Sequence, residues 1–253
     1  MTTVAAAETA LELDDVVIAF GGIRAVDHVS MQVRSGERWA VIGPNGAGKT
    51  TLFRTVSGEV RPTSGTVHLR GRDITRSSPN RRAHRGIGRT YQVTNLFLGL
   101  TVEQNLAIAA QALTSSRWRS WWPLQLRGAL GGTIDRVLDQ VELADRRHRL
   151  VGELSHGEQR QLELAMGLAG EPVVLLLDEP AAGLSAAERQ LMRTLIAGLP
   201  ADLSVVLIEH DMRLVLDLVD RVLVLDNGRP IATGTPDEIR ANDEVQAVYL
   251  RAD

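Results

Sequence analysis

Apolar and polar positions alternate early in the chain and fall into longer blocks later. After a loose stretch over residues 1–10, Leu11 to Phe20 and Val29 to Val33 read as strands, with Gly21-Gly22 breaking the run between them. Trp39 to Ile42 is a short unbroken apolar run, the pattern of a buried strand, and Lys49 to Ser57 reads as a helix ending near Gly58. Thr63-Ser64-Gly65 marks a turn, and Thr66 to Leu69 reads as a strand with Val67 and Leu69 on one face. Strands on both sides of the Trp39–Ser57 unit predict a small antiparallel sheet attached to a larger core.

Helical spacing dominates the middle of the chain. Val102, Leu106, Ala109 and Leu113 share one face over residues 102–113, and Ile134, Val137, Leu138 and Val141 share another. A third helix starts at Leu154-Ser155-His156-Gly157-Glu158, where Ser155 is the N-cap and Glu158 completes a capping box. Leu162, Ala165, Met166 and Ala169 form its buried stripe, and Gly170-Glu171-Pro172 stops it. Val173 to Leu177 shows no polar alternation, as expected of a parallel strand covered on both faces. Helix 186–198, strand Ser204 to Ile208, helix Asp211 to Val219 and strand Arg221 to Leu225 continue in βα alternation, and no internal repeat shows.

Composition narrows the classes. Hydrophobic residues make up 44% of the 253, enough for a substantial core, and the net charge of −3 gives no global case for nucleic acid or an anionic membrane. There are no cysteines, which excludes disulfides and thiolate chemistry. Met1 to Ala10 carries Glu8 and no basic region, unlike a secretory signal. The apolar run Val173–Leu177 is far short of the roughly 20 residues of a membrane span, so any membrane role is borrowed from a partner. Two local features stand out. Arg70, Arg72, Arg76, Arg81, Arg82, Arg85 and Arg89 make a basic stretch relieved only by Asp73, read without interleaved aromatics as a solvated face or docking surface. Three of the four tryptophans fall in Arg117-Trp118-Arg119-Ser120-Trp121-Trp122-Pro123, which suits either a membrane interface or partner pocket, or a satellite core under a long connection.

The chemistry begins between the predicted strand and helix. Gly43-Pro44-Asn45-Gly46-Ala47-Gly48-Lys49-Thr50, followed by Thr51, fits the phosphate-binding P-loop pattern. Its glycines let the backbone curl so that successive N–H groups point inward at a helix N-terminus, a nest for anions. Lys49 then reaches the β- and γ-phosphates, and the Thr50 hydroxyl takes one Mg²⁺ position. A glycine-rich turn with a chance lysine lacks this strand–loop–helix context. Downstream, Asp178 and Glu179 end a buried strand, where an aspartate holds Mg²⁺ and a neighbouring carboxylate polarises the attacking water. Adjacent strand residues point apart, so Glu179 serves only if the strand ends here, as Pro180 and Ala181-Ala182-Gly183 suggest.

With these residues in view, the chain resembles the ATP-binding subunit of an ABC transporter, from Leu11 to Leu250 and with the motifs in the family's order. Gly43 to Thr50 resembles Walker A, and Val174 to Asp178 with Glu179 resembles Walker B and the catalytic glutamate. Gln92, after Gly88-Arg89-Thr90-Tyr91, matches the Q-loop glutamine that contacts Mg²⁺ and the lytic water. Leu154 to Glu158 matches the signature motif, Ala182 to Ser185 the D-loop and His210 the switch histidine. Phe20 stands where the family stacks an aromatic on adenine, with Val26 as apolar support. Alone, Gln92 or His210 is an ordinary polar loop residue, Asp211 a helix cap and Phe20 a core aromatic; the order of the set gives them weight.

The resemblance implies a P-loop NTPase (RecA-like) α/β core with an antiparallel β subdomain and an inserted α-helical subdomain at about 93–168, in one ATPase domain over 11–250 after an N-terminal tail, 1–10. It implies ATP and Mg²⁺ as cofactors, and a cytoplasmic, peripheral position on the cell membrane. The signature helix, about 20 Å long at ~1.5 Å per residue, holds Ser155 and Gly157 away from the chain's own P-loop. Ser155, His156, Gly157 and Glu158 are therefore expected to serve ATP on a second ABC ATPase subunit, in a head-to-tail dimer with two ATPs between the subunits. Permease subunits in the membrane, and indirectly a solute-binding protein, are the further partners; nucleic acid is not.

Two positions depart from the common family pattern. His156 stands where the signature has its first glycine, and Ser185 where the D-loop commonly has aspartate. With Phe20-Gly21-Gly22, Ile208-Glu209-His210-Asp211-Met212 and Val248-Tyr249-Leu250, they resemble the branch serving importers of branched-chain or other hydrophobic amino acids or urea. The ATPases of lipopolysaccharide-type exporters share much of that pattern. A soluble ABC ATPase acting on nucleic acid is a rival from another class, but one ATPase unit without a long coiled-coil insert does not suit it. A nucleotide-gated scaffold without turnover is a third.

Overall fold

The computed structural model describes residues 8–90, 96–113, 129–209 and 215–250. Two sheets organise it. Strands β1 (Thr9–Phe20), β2 (Ile23–Arg34), β4 (Ser64–Leu69) and β5 (Arg72–Asp73) form an antiparallel sheet in the order β2-β1-β4-β5. Strands β3 (Arg38–Ile42), β6 (Ile87–Arg89), β7 (Val174–Asp178), β8 (Ser204–Ile208), β9 (Arg221–Asp226) and β10 (Arg229–Gly234) form the second, in the order β10-β9-β3-β8-β7-β6. All neighbours in that sheet run parallel except β9 and β10.

The parallel strands are buried on both sides, which is why they read as unbroken apolar runs. Because side chains alternate across a strand, each feeds two cores. Ala40, Ile42, Leu175, Leu177, Val205 and Leu207 face one cluster, shared with helices α3 (Val102–Ala112), α4 (Ala129–Gln140), α5 (His156–Leu168) and α6 (Ala186–Ala197). Trp39, Val41, Val174, Leu176, Val206 and Ile208 face the other, with Leu52, Phe53 and Val56 of helix α1 (Lys49–Val56) and the inner residues of β1, β2 and β4. The antiparallel sheet thus packs on the core through the face that also carries α1. Between β6 and β7 in the sequence, α3, α4 and α5 pack on one another.

The expected elements within the described residues are present, with differences at the edges; the helix expected over Asp211 to Val219 lies partly outside those residues. β2 begins at Ile23 rather than Val29, because its first residues pair with β1 through backbone while their side chains lie beyond the core; Ile23 is 73% exposed. β6 has three residues, and β10 is an edge strand carrying Pro230. Neither presents a period long enough to read. Two short helices, Pro236–Arg240 and Asp243–Leu250, follow β10.

The basic stretch holds a correction. Within it lies a short helix, α2 (Pro79–Ala83), and its Arg82 is not on a solvated face but fully buried. Its guanidinium donates to the carbonyls of Thr55 and Val56 at the C-terminal end of α1, at 2.7 and 2.8 Å, and to those of Thr75 and Ser77. A cation there meets the negative end of the helix and satisfies the Val56 carbonyl, while the Thr55 carbonyl also accepts the Gly58 N–H at 3.1 Å. Burial pushes the Arg82 pKa down to about 10, so it stays charged at neutral pH. Arg82 therefore pins the far end of the helix that carries the P-loop. Arg82→Ala leaves the carbonyls of Val56, Thr75 and Ser77 without this donor, and is expected to cost about 2–4 kcal/mol, read as a melting temperature lower by several degrees. An unchanged melting temperature contradicts this role.

Candidate functional site

The P-loop and the Asp178-Glu179 pair lie at the C-terminal ends of β3 and β7, with β8 between them. This is the edge of a parallel sheet where ligands of open α/β folds gather. The chain leaves β3 through Gly43 at φ 146° and enters α1 through Gly48 at φ 100°. Side chains at these positions also have no room. A Cβ on Gly43 falls 2.0 Å from the Leu225 carbonyl oxygen, and one on Gly48 falls 2.3 Å from that of Ala25. α3, α5 and α6 each begin with a full capping box, whereas α1 begins from Gly48 with no side-chain cap. Its first N–H groups are thus left to an anion.

Lys49 is buried, with its Nζ donating to the carbonyls of Gly43 and Pro44 at 2.7 and 2.8 Å. Burial lowers its pKa, while Glu179 and Asp178 pull the other way. The ammonium thus spans the loop on the side of the two carboxylates. Asn45, Gly46 and Thr50 are exposed, Pro44, Gly48 and Thr51 are half-buried, and Ala47 is buried.

Asp178 closes β7 and is buried. Its Oδ2 accepts from Arg89 Nη2 at 3.3 Å, while its Oδ1 is buried with no protein partner. Arg89 also donates to Ser57 Oγ and Glu59, so one guanidinium links the Walker B strand end to the residues just after α1. The strand does end at Asp178: Glu179 takes a left-handed φ of 52°, and its N–H donates to the Ile208 carbonyl at 3.0 Å. That turn swings its side chain off the strand's alternation, at a strain of ~1–2 kcal/mol for a residue with a Cβ. Buried Glu209 accepts the Ala181 N–H at 3.0 Å, tying the end of β8 to the loop after Glu179.

The signature residues sit elsewhere. Ser155 caps α5, its Oγ accepting the Glu158 N–H while the Glu158 carboxylate accepts the Ser155 N–H at 2.8 Å and bonds Arg146. Gly157 is buried, and its N–H donates to Glu188. His156 is exposed, and Ser185 caps α6. Among the described residues no hydrogen bond or ion pair joins residues 155–158 to residues 43–51. Phe20 is 54% exposed, at the tip of the β1–β2 hairpin, where a flat apolar face is open to a ligand. Val26 is wholly buried in the cluster that holds Ala47, an apolar support beneath the loop. Gln92, His210 and the Trp118–Trp122 group lie outside the described residues. Arg82 and Glu188 are structural partners that the motifs did not name, and Arg89 and Glu209 entered the motifs only as members of the stretches around Gln92 and His210, with no role of their own.

This combination of fold and site defines a P-loop ATPase of the ATP-binding cassette class. The sequence matches the ABC transporter family over residues 26–182, and a family described as branched-chain amino acid ATP-binding cassette transporter over residues 229–250. It is 39% identical over 247 residues to the high-affinity branched-chain amino acid transport ATP-binding protein LivG of Salmonella typhimurium, covering 95% of this chain and 97% of that one. It is 36% identical over 247 residues to BraF of Pseudomonas aeruginosa, described in the same words, with the same coverage. A solved ATP-binding cassette of an ABC transporter in its ADP conformation superposes with a TM-score of 0.86 at 29% identity, over 96% of this chain and 98% of that one. The chain belongs to the ABC transporter ATP-binding family, and it is an ATPase.

The buried Asp178 yields a test. Burial holds its carboxyl above the ordinary carboxylate range, helped by Glu179 and opposed by Arg89. A carboxyl raised by folding stabilises the native state only when protonated. That contribution is lost as pH rises through the folded value, above which the ionised, buried group is a burden on the nucleotide-free protein. Asp178→Asn is expected to raise the melting temperature of that form by ~2–4 °C, equivalent to about 1 kcal/mol. A lower melting temperature in the variant contradicts this.

Proposed function

We propose that the chain is the ATP-binding subunit of an importer of branched-chain or other hydrophobic amino acids, at the cytoplasmic face of the membrane. The observation that carries the solute class is the match to LivG and BraF across nearly the whole chain, joined by the short C-terminal match over residues 229–250. No helix among the described residues is long and apolar enough to cross a membrane. In this reading the solute path belongs to permease subunits, supplied in turn by a solute-binding protein.

In the proposed mechanism residues 43–51 wrap the phosphates through backbone N–H groups, and Lys49 exchanges the carbonyls of Gly43 and Pro44 for the β- and γ-phosphates. Phe20 stacks on the base. The residues present fit a Mg²⁺ ion. Among the described residues no cluster of three His, Cys, Asp or Glu could hold a metal by itself. The partnerless Asp178 Oδ1, with the exposed Thr50 hydroxyl and phosphate oxygens, provides a hard oxygen set of the kind Mg²⁺ takes. When bound, Mg²⁺ supplies charge neutralisation on the phosphoryl oxygens. Glu179 takes the proton of the attacking water as general base, and Gln92 and His210 orient that water and the γ-phosphate.

Ser155 to Glu158 complete the site of a second copy or a related ATPase subunit. Supporting this are the absence of any described bond between that edge and the chain's own P-loop, and the exposure of Ser155 and His156. Domain bounds of 11–250, with a helical subdomain at about 93–168, are part of the same proposal. Glu179→Gln is expected to slow hydrolysis by ~10²–10⁴-fold, the usual contribution of a general base, and with MgATP to accumulate dimers on gel filtration. Unchanged turnover removes Glu179 from the base role. Reconstitution with the co-purifying permeases is expected to give ATP-dependent uptake of labelled leucine; uptake of urea instead contradicts the solute class.

A further inference from the structure

The start of α5 is already in contact with an anion, and the anion comes from this chain. Gly157 occupies the second position of the helix, and its N–H donates to Glu188 Oε1 at 3.1 Å. The fit is close: a Cβ on Gly157 falls 2.4 Å from that same oxygen. Glu188's other oxygen accepts the Ser185 N–H at 2.9 Å and the Ser185 hydroxyl at 2.7 Å, as the capping box of α6. His156 joins the contact from the other side, with Nε2 3.2 Å from where a Cβ on Gly183 falls. Ser185 thus bonds a carboxylate that bridges the signature helix to the D-loop, and His156, the other position that departs from the common family pattern, packs against Gly183 of that loop and acts on the carboxylate electrostatically. Hydrogen bonds from Ser185 hold the Glu188 carboxyl below the ordinary range, so it is ionised at neutral pH.

We propose that Glu188 is the gate on the signature edge: its carboxylate occupies the Gly157 N–H that the second subunit's ATP phosphate must take, and it is displaced when the dimer closes. This rests on the head-to-tail dimer proposed above. Two anions cannot share one N–H donor, and a phosphate approaching residues 155–157 meets a like charge before it meets a free donor. The gate opens without unravelling α6. When Oε1 leaves Gly157, Oε2 keeps both bonds to Ser185, so the helix cap survives the exchange. Closure then requires enough bound ATP to displace the carboxylate, which keeps nucleotide-poor subunits apart. Ser185, lacking the charge of an aspartate, adds no further carboxylate beside Glu188 between the signature helix and the D-loop.

The test uses the full chain carrying Glu179→Gln, with dimer fraction measured against ATP concentration by sedimentation velocity. Adding Glu188→Gln removes the charge but keeps the size and an acceptor oxygen, and glutamine is equally a capping-box residue. The ATP midpoint for dimerisation is expected to fall about fivefold or more, the range of ordinary coupling between sites, while fluorescent-nucleotide binding to the monomer stays unchanged. Glu188→Ala shifts the midpoint the same way, and melting temperatures of both variants report whether the fold is kept. A folded Glu188→Gln variant with an unchanged or higher midpoint overturns the gate and leaves the dimer standing. A Glu179→Gln parent that forms no dimer at any ATP concentration overturns the dimer, and the gate with it.

Discussion

Close backbone contact around the P-loop is the constraint on which the rest depends. Gly43 lies against the Leu225 carbonyl and Gly48 against that of Ala25, so the loop's curl is set by the end of β9 and by the β1–β2 hairpin as well as by its own sequence. Gly228 donates to the Ala47 carbonyl and accepts from the Asp27 N–H, locking the β9–β10 turn to the loop on one side and to β2 on the other. Arg82 fixes the opposite end of α1. The anion nest is thus clamped at both ends of its helix before any ligand arrives, which is what preorganised phosphate binding needs.

Charge around this nest is balanced by short links rather than by solvent. Asp178, Arg89 and Glu59 are joined by direct contacts that run to the residues beyond α1, and Lys49 feels Asp178 and Glu179 through space from the loop. Glu179 and Glu209 draw the ends of β7 and β8 together through Ile208 and Ala181, so the carboxylate proposed as base and the strand leading to His210 share one support. Burying so many charges is a poor way to gain stability, but it fixes where each one stands.

Much of this was legible in the sequence because it follows from period and spacing. Val173–Leu177 could only be a doubly covered strand, and Ser155 with Glu158 could only open a helix. Both hold in the structure, with the strand displaced by one residue. What escaped depends on long-range contact. Arg82 looked like one of seven exposed arginines, since nothing local distinguishes an arginine that meets a helix end 26 and 27 residues away. Glu188 was visible only as three residues after Ser185; its reach to Gly157, 31 residues back, appears only when the helices are placed.

In the proposed head-to-tail dimer each nucleotide site is shared by two chains. The lack of native cysteines allows it to be tested with one engineered thiol per chain. Asn45→Cys places a thiol on the exposed P-loop, and His156→Cys places one on the exposed signature edge. Mixed in the Glu179→Gln background with MgATP and a mild oxidant, the two variants are expected to form a disulfide-linked heterodimer that does not form without nucleotide. Failure of the mixture to cross-link, together with an internal disulfide in a monomer carrying both cysteines, would show that a single chain closes its own site.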